Sequence, residues 1–110
     1  MFGNKDQKIE KLVEKKNAAG LIALLNDKNV PLSLKAAEAL GKVNSDEAYN
    51  MLITLMRSPM AEMRAVAIAA LGEMGDQKAR AHIDHNYATE TDPMVQEAMR
   101  EALSKLHTNE

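Results

Sequence analysis

Cysteine and tryptophan are missing from this 110-residue chain, and only 3% of its residues are aromatic. Without cysteine there can be no disulfide, no thiolate ligand for zinc and no thiol nucleophile. Because aromatic residues are so few, alanine, leucine and methionine have to fill the core, and these residues favour helices over strands. We therefore expect an all-α protein.

Basic charge and long apolar runs are also scarce. The formal net charge of −2 argues against a nucleic-acid partner, since phosphate contacts need a concentrated basic face. No stretch approaches the roughly 18–20 apolar residues of a membrane helix, and the start of the sequence has no apolar signal core. The five glycines are scattered singly and form no phosphate-binding loop. We expect a cytoplasmic protein with no cofactor and no membrane or nucleic-acid partner.

What the sequence does contain is an internal repeat. The segment KAAEALGKV at 35–43 recurs as VAIAALGEM at 66–74, an offset of 31 residues. A third copy, with its Ala-Leu pair at 102–103, follows at an offset of 32, and a partial copy at 17–26 precedes the others. Self-similarity at a fixed period is the signature of a repeat architecture.

Each repeat divides into two helices. In both, apolar residues recur at spacings of three and four, as a helix with 3.6 residues per turn requires. The spacing predicts seven helices, near 5–16, 17–26, 30–43, 46–57, 60–74, 77–88 and 93–107. They form one domain over 1–110, with units at roughly 5–28, 29–58, 59–91 and 92–107.

The three prolines stand where first helices of units begin. Ser58-Pro59 and Asp92-Pro93 are each interpreted as a cap followed by the first helical residue, and Pro31 opens its helix similarly. Proline is tolerated at that position because the first turn has no intrahelical partner for its missing N–H.

Glycine and asparagine mark the helix ends. We expect Asn44 and Gly75 to terminate two first helices, because both residues tolerate the left-handed conformation. Gly41 and Gly72 instead fall in the last turn, where glycine costs about 1 kcal/mol relative to alanine. Their recurrence at the repeat offset predicts that a partner helix crosses there and leaves no room for a side chain. The alternative is a frayed helix end that tolerates glycine.

The string AALGEMGD at 69–76, continuing to Ala79, resembles the short bacterial HEAT-like repeat found in phycobilisome lyases and many other proteins. The resemblance covers about 17–107 and is strongest at 60–80. It implies a right-handed α-α superhelix of about three and a half helix pairs, with the second helix of each pair lining the concave side. It also implies protein binding more often than catalysis, so we expect no enzyme activity.

Positions on the second helices that packing does not use align in columns at the repeat offset. The candidate partner-binding residues on this face are Tyr49, Asn50, Ile53, Thr54, Arg57, Arg80, Asp84 and His85. Tyr49, Ile53 and Arg57 form the richest cluster, because an exposed aromatic side chain beside an arginine is typical of protein hot spots. In the alternative interpretation, Tyr49 and Ile53 pack under a neighbouring loop.

One pattern suggests metal chemistry. His82 and His85 lie three residues apart on a predicted helix, so both imidazoles share a face and could ligate zinc. Asp84 points elsewhere, so a third ligand would have to come from another unit. The alternative is two exposed polar residues, and we predict no metal site.

The sequence therefore favours a non-enzymatic interaction or scaffold module that binds a protein or peptide. One alternative is a lyase-type or regulatory accessory protein that acts on a modified protein, which would need a sizeable apolar cleft. Another is a self-associating stack that joins through its terminal helices. Residues 1–16 carry five lysines against three acids, residues 90–110 carry five acids against two bases, and Ile9, Leu12 or Val13 could remain partly uncovered.

Overall fold

The computed structural model describes residues 5–106, and in that range the chain consists of helices joined by short loops, without strands. The helices are α1 (Lys5–Glu14), α2 (Ala18–Leu24), α3 (Val30–Leu40), α4 (Asp46–Leu55), α5 (Ala61–Met74), α6 (Ala79–Tyr87) and α7 (Pro93–Lys105). The predicted seven-helix layout is confirmed, with ends that differ by up to three residues. The predicted end of the last helix at His107 lies outside the described residues.

The helices form a two-layer stack. The first helices α1, α3, α5 and α7 lie side by side in one layer, and each second helix packs against the first helix of the next unit. The principal extents of 47 × 29 × 17 Å fit an elongated slab two helices thick. This is an α-α solenoid, as predicted.

The core follows the repeat. Leu21, Leu52 and Ile83 occupy one repeat position on the second helices, and all three are fully buried. Leu40 and Leu71 do the same on the first helices. Burying side chains of this size contributes roughly 1.5–3 kcal/mol each, so the repeat positions that matched by letter are also those that stabilise the stack.

Gly41 and Gly72 lie where first helices cross, as predicted. A Cβ atom added at Gly41 would lie 2.8 Å from the carbonyl oxygen and 2.9 Å from the Cβ of Ala70 on α5. A Cβ atom at Gly72 would lie 3.1 Å from the Cα of Ala102 on α7. The crossing partner is in both cases the first helix of the following unit, so glycine against alanine sets the spacing within this layer.

Two of the expected end signals are confirmed. Asp92 caps α7 ahead of Pro93, and Gly75 ends α5 in the left-handed conformation with φ 77°. In addition, Ser45 caps α4 through its side chain. Pro31 lies in the first turn of α3, behind an Asn29 cap.

Two end signals were predicted wrongly. Pro59 is not the first helical residue, because α5 begins at Ala61 and the Ser58 hydroxyl accepts from the backbone N–H of Met60 at 3.1 Å. Asn44 does not adopt the left-handed conformation, which among residues 5–106 is found only at Lys16 and Gly75. The α-helix of α3 ends at Leu40, because the chain then tightens into three-residue turns that reach Val43.

The loops between units share one hydrogen bond. Asp27 Oδ1 accepts from the N–H of Asn29 at 2.8 Å, and Ser58 Oγ accepts in the same way from the residue two positions on. Glu90 Oε2 accepts from the N–H of Asp92 at 3.0 Å. These three acceptors are separated by the repeat offsets of 31 and 32, so the loops repeat as well as the helices.

Candidate functional site

The second helices α2, α4 and α6 expose three of the five predicted columns. All nine side chains of these columns are exposed, and we call them the second-helix face: Ala19, Ala23, Asn26, Asn50, Thr54, Arg57, Ala81, His85 and Ala88. Four of the nine are alanines, and Arg57 is the one arginine or lysine among them. Small side chains lose little rotamer entropy when a partner covers them.

Arg57 stands at the edge of a groove between the ends of α4 and α6. These two helices barely touch, and the gap has a volume of about 320 Å³. Its lining residues are Met56, Arg57, Arg64, Asn86, Thr89, Glu90 and Thr91. No acidic side chain among residues 5–106 pairs with the exposed Arg57 guanidinium. The groove therefore offers a free cation, an amide and two hydroxyls to a partner.

One wall of this groove is a rigid ion pair. Arg64 Nε and Nη2 donate to the two Glu90 carboxylate oxygens at 3.0 Å each, and the two side chains are only 21% and 8% exposed. Arg64 Nη1 also donates to the carbonyl of Ser58 at 2.9 Å. Bidentate pairs of this kind are strong and fix the orientation of both side chains. Because Arg64 is already paired with Glu90, Arg57 is the free cation of the groove.

The ion pair shifts both titrating groups toward their charged forms. The hydrogen bonds from Arg64 hold the pKa of the Glu90 carboxyl below its ordinary value, against the opposing effect of burial. The same contact raises the pKa of Arg64. Glu90 thus stabilises the folded state as long as it is ionised.

Glu90→Gln is expected to reduce the pH dependence of stability. Because the folded pKa of Glu90 lies below the unfolded value of about 4.3, its contribution is fully present above that value and disappears as the pH falls through the folded pKa. Urea unfolding of both proteins from about pH 7 to pH 3 should show their difference shrinking in acid. A difference that stays constant, or a Glu62→Gln control that behaves alike, would contradict this role.

Sequence reasoning missed Arg64, although the repeat holds a signal for it. Ser33, Arg64 and Gln96 share one repeat position, next to the apolar Leu32, Met63 and Val95. Each donates to a carbonyl near the start of its own first helix: Ser33 to Val30 at 2.8 Å, Arg64 to Ser58, and Gln96 to Glu90 at 2.7 Å. A polar residue repeated inside an apolar stripe therefore marks a tie between helix and loop.

The predicted cluster of Tyr49, Ile53 and Arg57 is only partly exposed. Tyr49 is 8% exposed, and its burial raises the pKa of the phenol. Lys78 Nζ lies 5.0 Å from the centroid of its ring. Ile53 is half-buried against the core, while Arg57 is exposed. The expectation of an exposed aromatic side chain is wrong, because Tyr49 belongs to the buried core cluster and Lys78 lies over its ring.

The Arg80 side chain is held in place by hydrogen bonds to the end of α7. Its Nη1 donates to the carbonyl oxygens of Leu103 and Leu106 at 2.9 and 3.0 Å, at the end of α7. A cation at this position satisfies carbonyl oxygens at the C-terminal end of a helix and interacts favourably with the helix dipole. Of the predicted partner-binding residues, Tyr49 is buried and Arg80 is half-buried, whereas Asn50, Thr54, Asp84 and His85 are exposed.

The two histidines of α6 do not join a metal-ligand cluster within residues 5–106. His82 and His85 are both exposed, and in this range no group of three His, Asp, Glu or Cys side chains lies close enough to hold a metal ion. Asp84 turns toward Arg80, with the nearest approach at 4.0 Å. His85 thus belongs to the second-helix face as a polar side chain.

Within the described residues, no helix has both the length and the apolar character required to cross a bilayer. The longest, α5, has 14 residues, whereas a membrane-spanning helix needs about 20.

A family model for HEAT repeats matches residues 18–104. No curated protein matches the chain. The match covers α2 to α6 and all but the last residue of α7, so it includes the three second helices that form the face described above. The chain belongs to the HEAT-repeat family.

Proposed function

We propose that the protein is a non-enzymatic interaction module that binds a protein or peptide segment across the second-helix face, with Arg57 as its anchor. HEAT repeats generally mediate protein–protein interaction, and their fold is typically a scaffold. The observation that carries the proposal is the exposed, unpaired Arg57 beside a groove whose wall is fixed by the Arg64–Glu90 pair. Arginine in a preformed setting is a frequent hot-spot residue.

The rest of the second-helix face supports the same partner class. Its alanines let the backbone of a partner approach closely, and Asn50 and Thr54 offer hydrogen bonds on either side. We propose that a partner carboxylate meets Arg57, with Thr89 and Asn86 of the groove as further donors. One free arginine is too little charge for a nucleic-acid backbone, so we propose no such partner.

One observation bears on each alternative function. The lyase-type alternative needs a sizeable apolar cleft, but charged side chains line both the groove at Arg57 and a second groove between α1 and α3. Self-association through the ends needs exposed apolar or acidic residues. Ile9 is buried, but Leu12 and Val13 are half-buried. On α7, Met94 is 47% exposed and Glu101 is exposed without an ion pair among residues 5–106, so self-association stays the second alternative. We propose a cytoplasmic protein that acts on a different partner.

Because the chain has no cysteine, single-cysteine variants can locate the bound partner. Thr54→Cys and His85→Cys would each carry a photo-cross-linker on the second-helix face, and Glu101→Cys would carry it on the outer side of α7. In a lysate of the source cells, we expect one adduct of the same mass at positions 54 and 85. Equal labelling at all three positions, or labelling at 101 alone, would overturn the proposed site.

Arg57→Ala should weaken capture of that partner by about tenfold or more, because it removes the anchor while the neighbouring contacts remain. Arg100→Ala on α7 is the control for the loss of one exposed positive charge far from the groove, although Arg100 is paired with Glu97 and Tyr87, whereas Arg57 is free. Quantitative mass spectrometry of material retained on immobilised protein gives the ratio. Equal capture by both variants would place the binding energy away from Arg57.

A further inference from the structure

A second groove lies in the other layer of the stack, between α1 and α3. It has a volume of about 550 Å³ and opens to solvent. Its lining residues are Asp6, Ile9, Glu10, Val13 and Glu14 from α1 with Lys35, Glu38, Ala39 and Lys42 from α3. Ile9, Val13 and Ala39 form an apolar floor, and the carboxylates and amines form its rim. This groove is independent of the second-helix face and of the function proposed for it.

The groove exists because the first unit departs from the repeat. Glu10 stands 31 residues before Gly41, at the position where the later first helices have glycine. Ala39 stands at the position of Ala70, which Gly41 covers at 2.9 Å from an added Cβ. A glutamate side chain cannot take the place of a glycine at such a crossing. Ala39 lines the groove on the α1 side, although only 4% of its surface is exposed.

The charges around this space are unbalanced. At one end, Lys35 donates to Asp6 at 3.0 Å and bridges the two helices. Three further carboxylates line the groove, Glu10 and Glu14 on α1 and Glu38 on α3, against one further amine, Lys42. None of these four groups has an ion-pair partner within residues 5–106, so the carboxylates remain in excess. Two carboxylates that face one space repel each other, and a cation placed between them would relieve that repulsion.

We propose that this groove receives an arginine or lysine side chain from a basic segment of a protein partner. The aliphatic stem lies on Ile9, Val13 and Ala39, and the charged head reaches Glu10 and Glu38. Long basic side chains bind in this divided way, with the stem on apolar surface and the head among polar groups. The guanidinium of arginine can also bridge two carboxylates, which a single ammonium does less well.

The test uses a C-amidated peptide of three Ala-Arg repeats with an amino-terminal fluorescein, and its neutral counterpart with citrulline in place of arginine. Fluorescence anisotropy should show binding of the arginine peptide alone. The Glu10→Gln, Glu38→Gln double variant should raise its Kd by about tenfold or more. The Glu62→Gln, Glu101→Gln variant loses the same charge from exposed positions elsewhere and should change Kd by less than about twofold.

The experiment distinguishes failure of the groove between α1 and α3 from failure of the second-helix face. Arg57→Ala should bind this peptide as the wild type does, so failure of the second-helix site would leave this result untouched. Methyl resonances of Ile9, Val13 and Ala39 should shift on binding, while those of the α6 and α7 methyl groups stay in place. Equal losses in the two double variants, shifts spread over the whole surface, or no binding of the arginine peptide would each overturn the proposal.

Discussion

Gly41→Ala is expected to lower the free energy of unfolding by about 2 kcal/mol. The added methyl group would lie 2.8–3.0 Å from the backbone and Cβ of Ala70, closer than carbon atoms normally approach. Since the obstructing atoms are backbone, α5 itself has to move, and overpacking of this kind costs about 1–3 kcal/mol or more. Alanine recovers about 1 kcal/mol of helix propensity at most, which does not offset the clash.

Urea unfolding followed by far-UV circular dichroism measures this loss as a lower transition midpoint. Gly72→Ala is the matched control, because its methyl group would lie 3.1–3.2 Å from Ala102, a less severe contact than the one at Gly41. We expect a change there within about 1 kcal/mol, since the propensity gain offsets the tighter contact. Equal losses at the two glycines would show that α3 and α5 are not held by this crossing.

Arg64→Ala is expected to destabilise the protein by about 2 kcal/mol. The substitution leaves the Glu90 carboxylate buried without its cation and releases the carbonyl of Ser58 from its hydrogen bond. Breaking a fully buried pair from one side costs about 3–5 kcal/mol, and the partial exposure of Arg64 lowers that figure. The loop at 88–92 should exchange its amide hydrogens faster, because Glu90 would no longer be fixed.

A double-mutant cycle separates the energy of the Arg64–Glu90 ion pair from that of the backbone hydrogen bonds that each side chain makes. Glu90→Ala alone should also destabilise, but the Arg64→Ala, Glu90→Ala variant should lose about 1–2 kcal/mol less than the sum of the two. Purely additive losses would mean that each side chain acts through its backbone hydrogen bonds and that the ion pair itself contributes nothing.

The helix stack could be predicted from the sequence because two independent patterns, helical spacing and the repeat offset, identify the same core residues. A residue such as Leu52 is matched both by helical spacing and by Leu21 and Ile83 at the same repeat position. The glycine crossings were predictable for the same reason, since Gly41 and Gly72 recur where helix propensity disfavours them. The helix ends were less predictable. Pro59 and Asn44 are residue types suited to their predicted roles, but hydrogen bonds of neighbouring residues place the helix ends elsewhere.

The candidate site was predicted in part. Repeat columns identify which positions on the second helices are equivalent, and Asn50, Thr54, Arg57 and His85 are exposed as expected. The repeat columns do not show whether side chains of a neighbouring unit cover a given position and bury it. Contacts of that kind, between residues some 20 or more positions apart, bury Tyr49 and hold Arg80, and no local pattern in the sequence contains them.

The glycine–alanine crossings also have a mechanical consequence. They lock the backbones of α3, α5 and α7 together, so that separating these helices would open tightly packed surfaces. The second layer has no such lock between α4 and α6, which barely touch. We expect bending about the first layer to meet less resistance than separation of its helices. Such bending would move α4 relative to α6 and leave the Arg64–Glu90 wall of the groove intact.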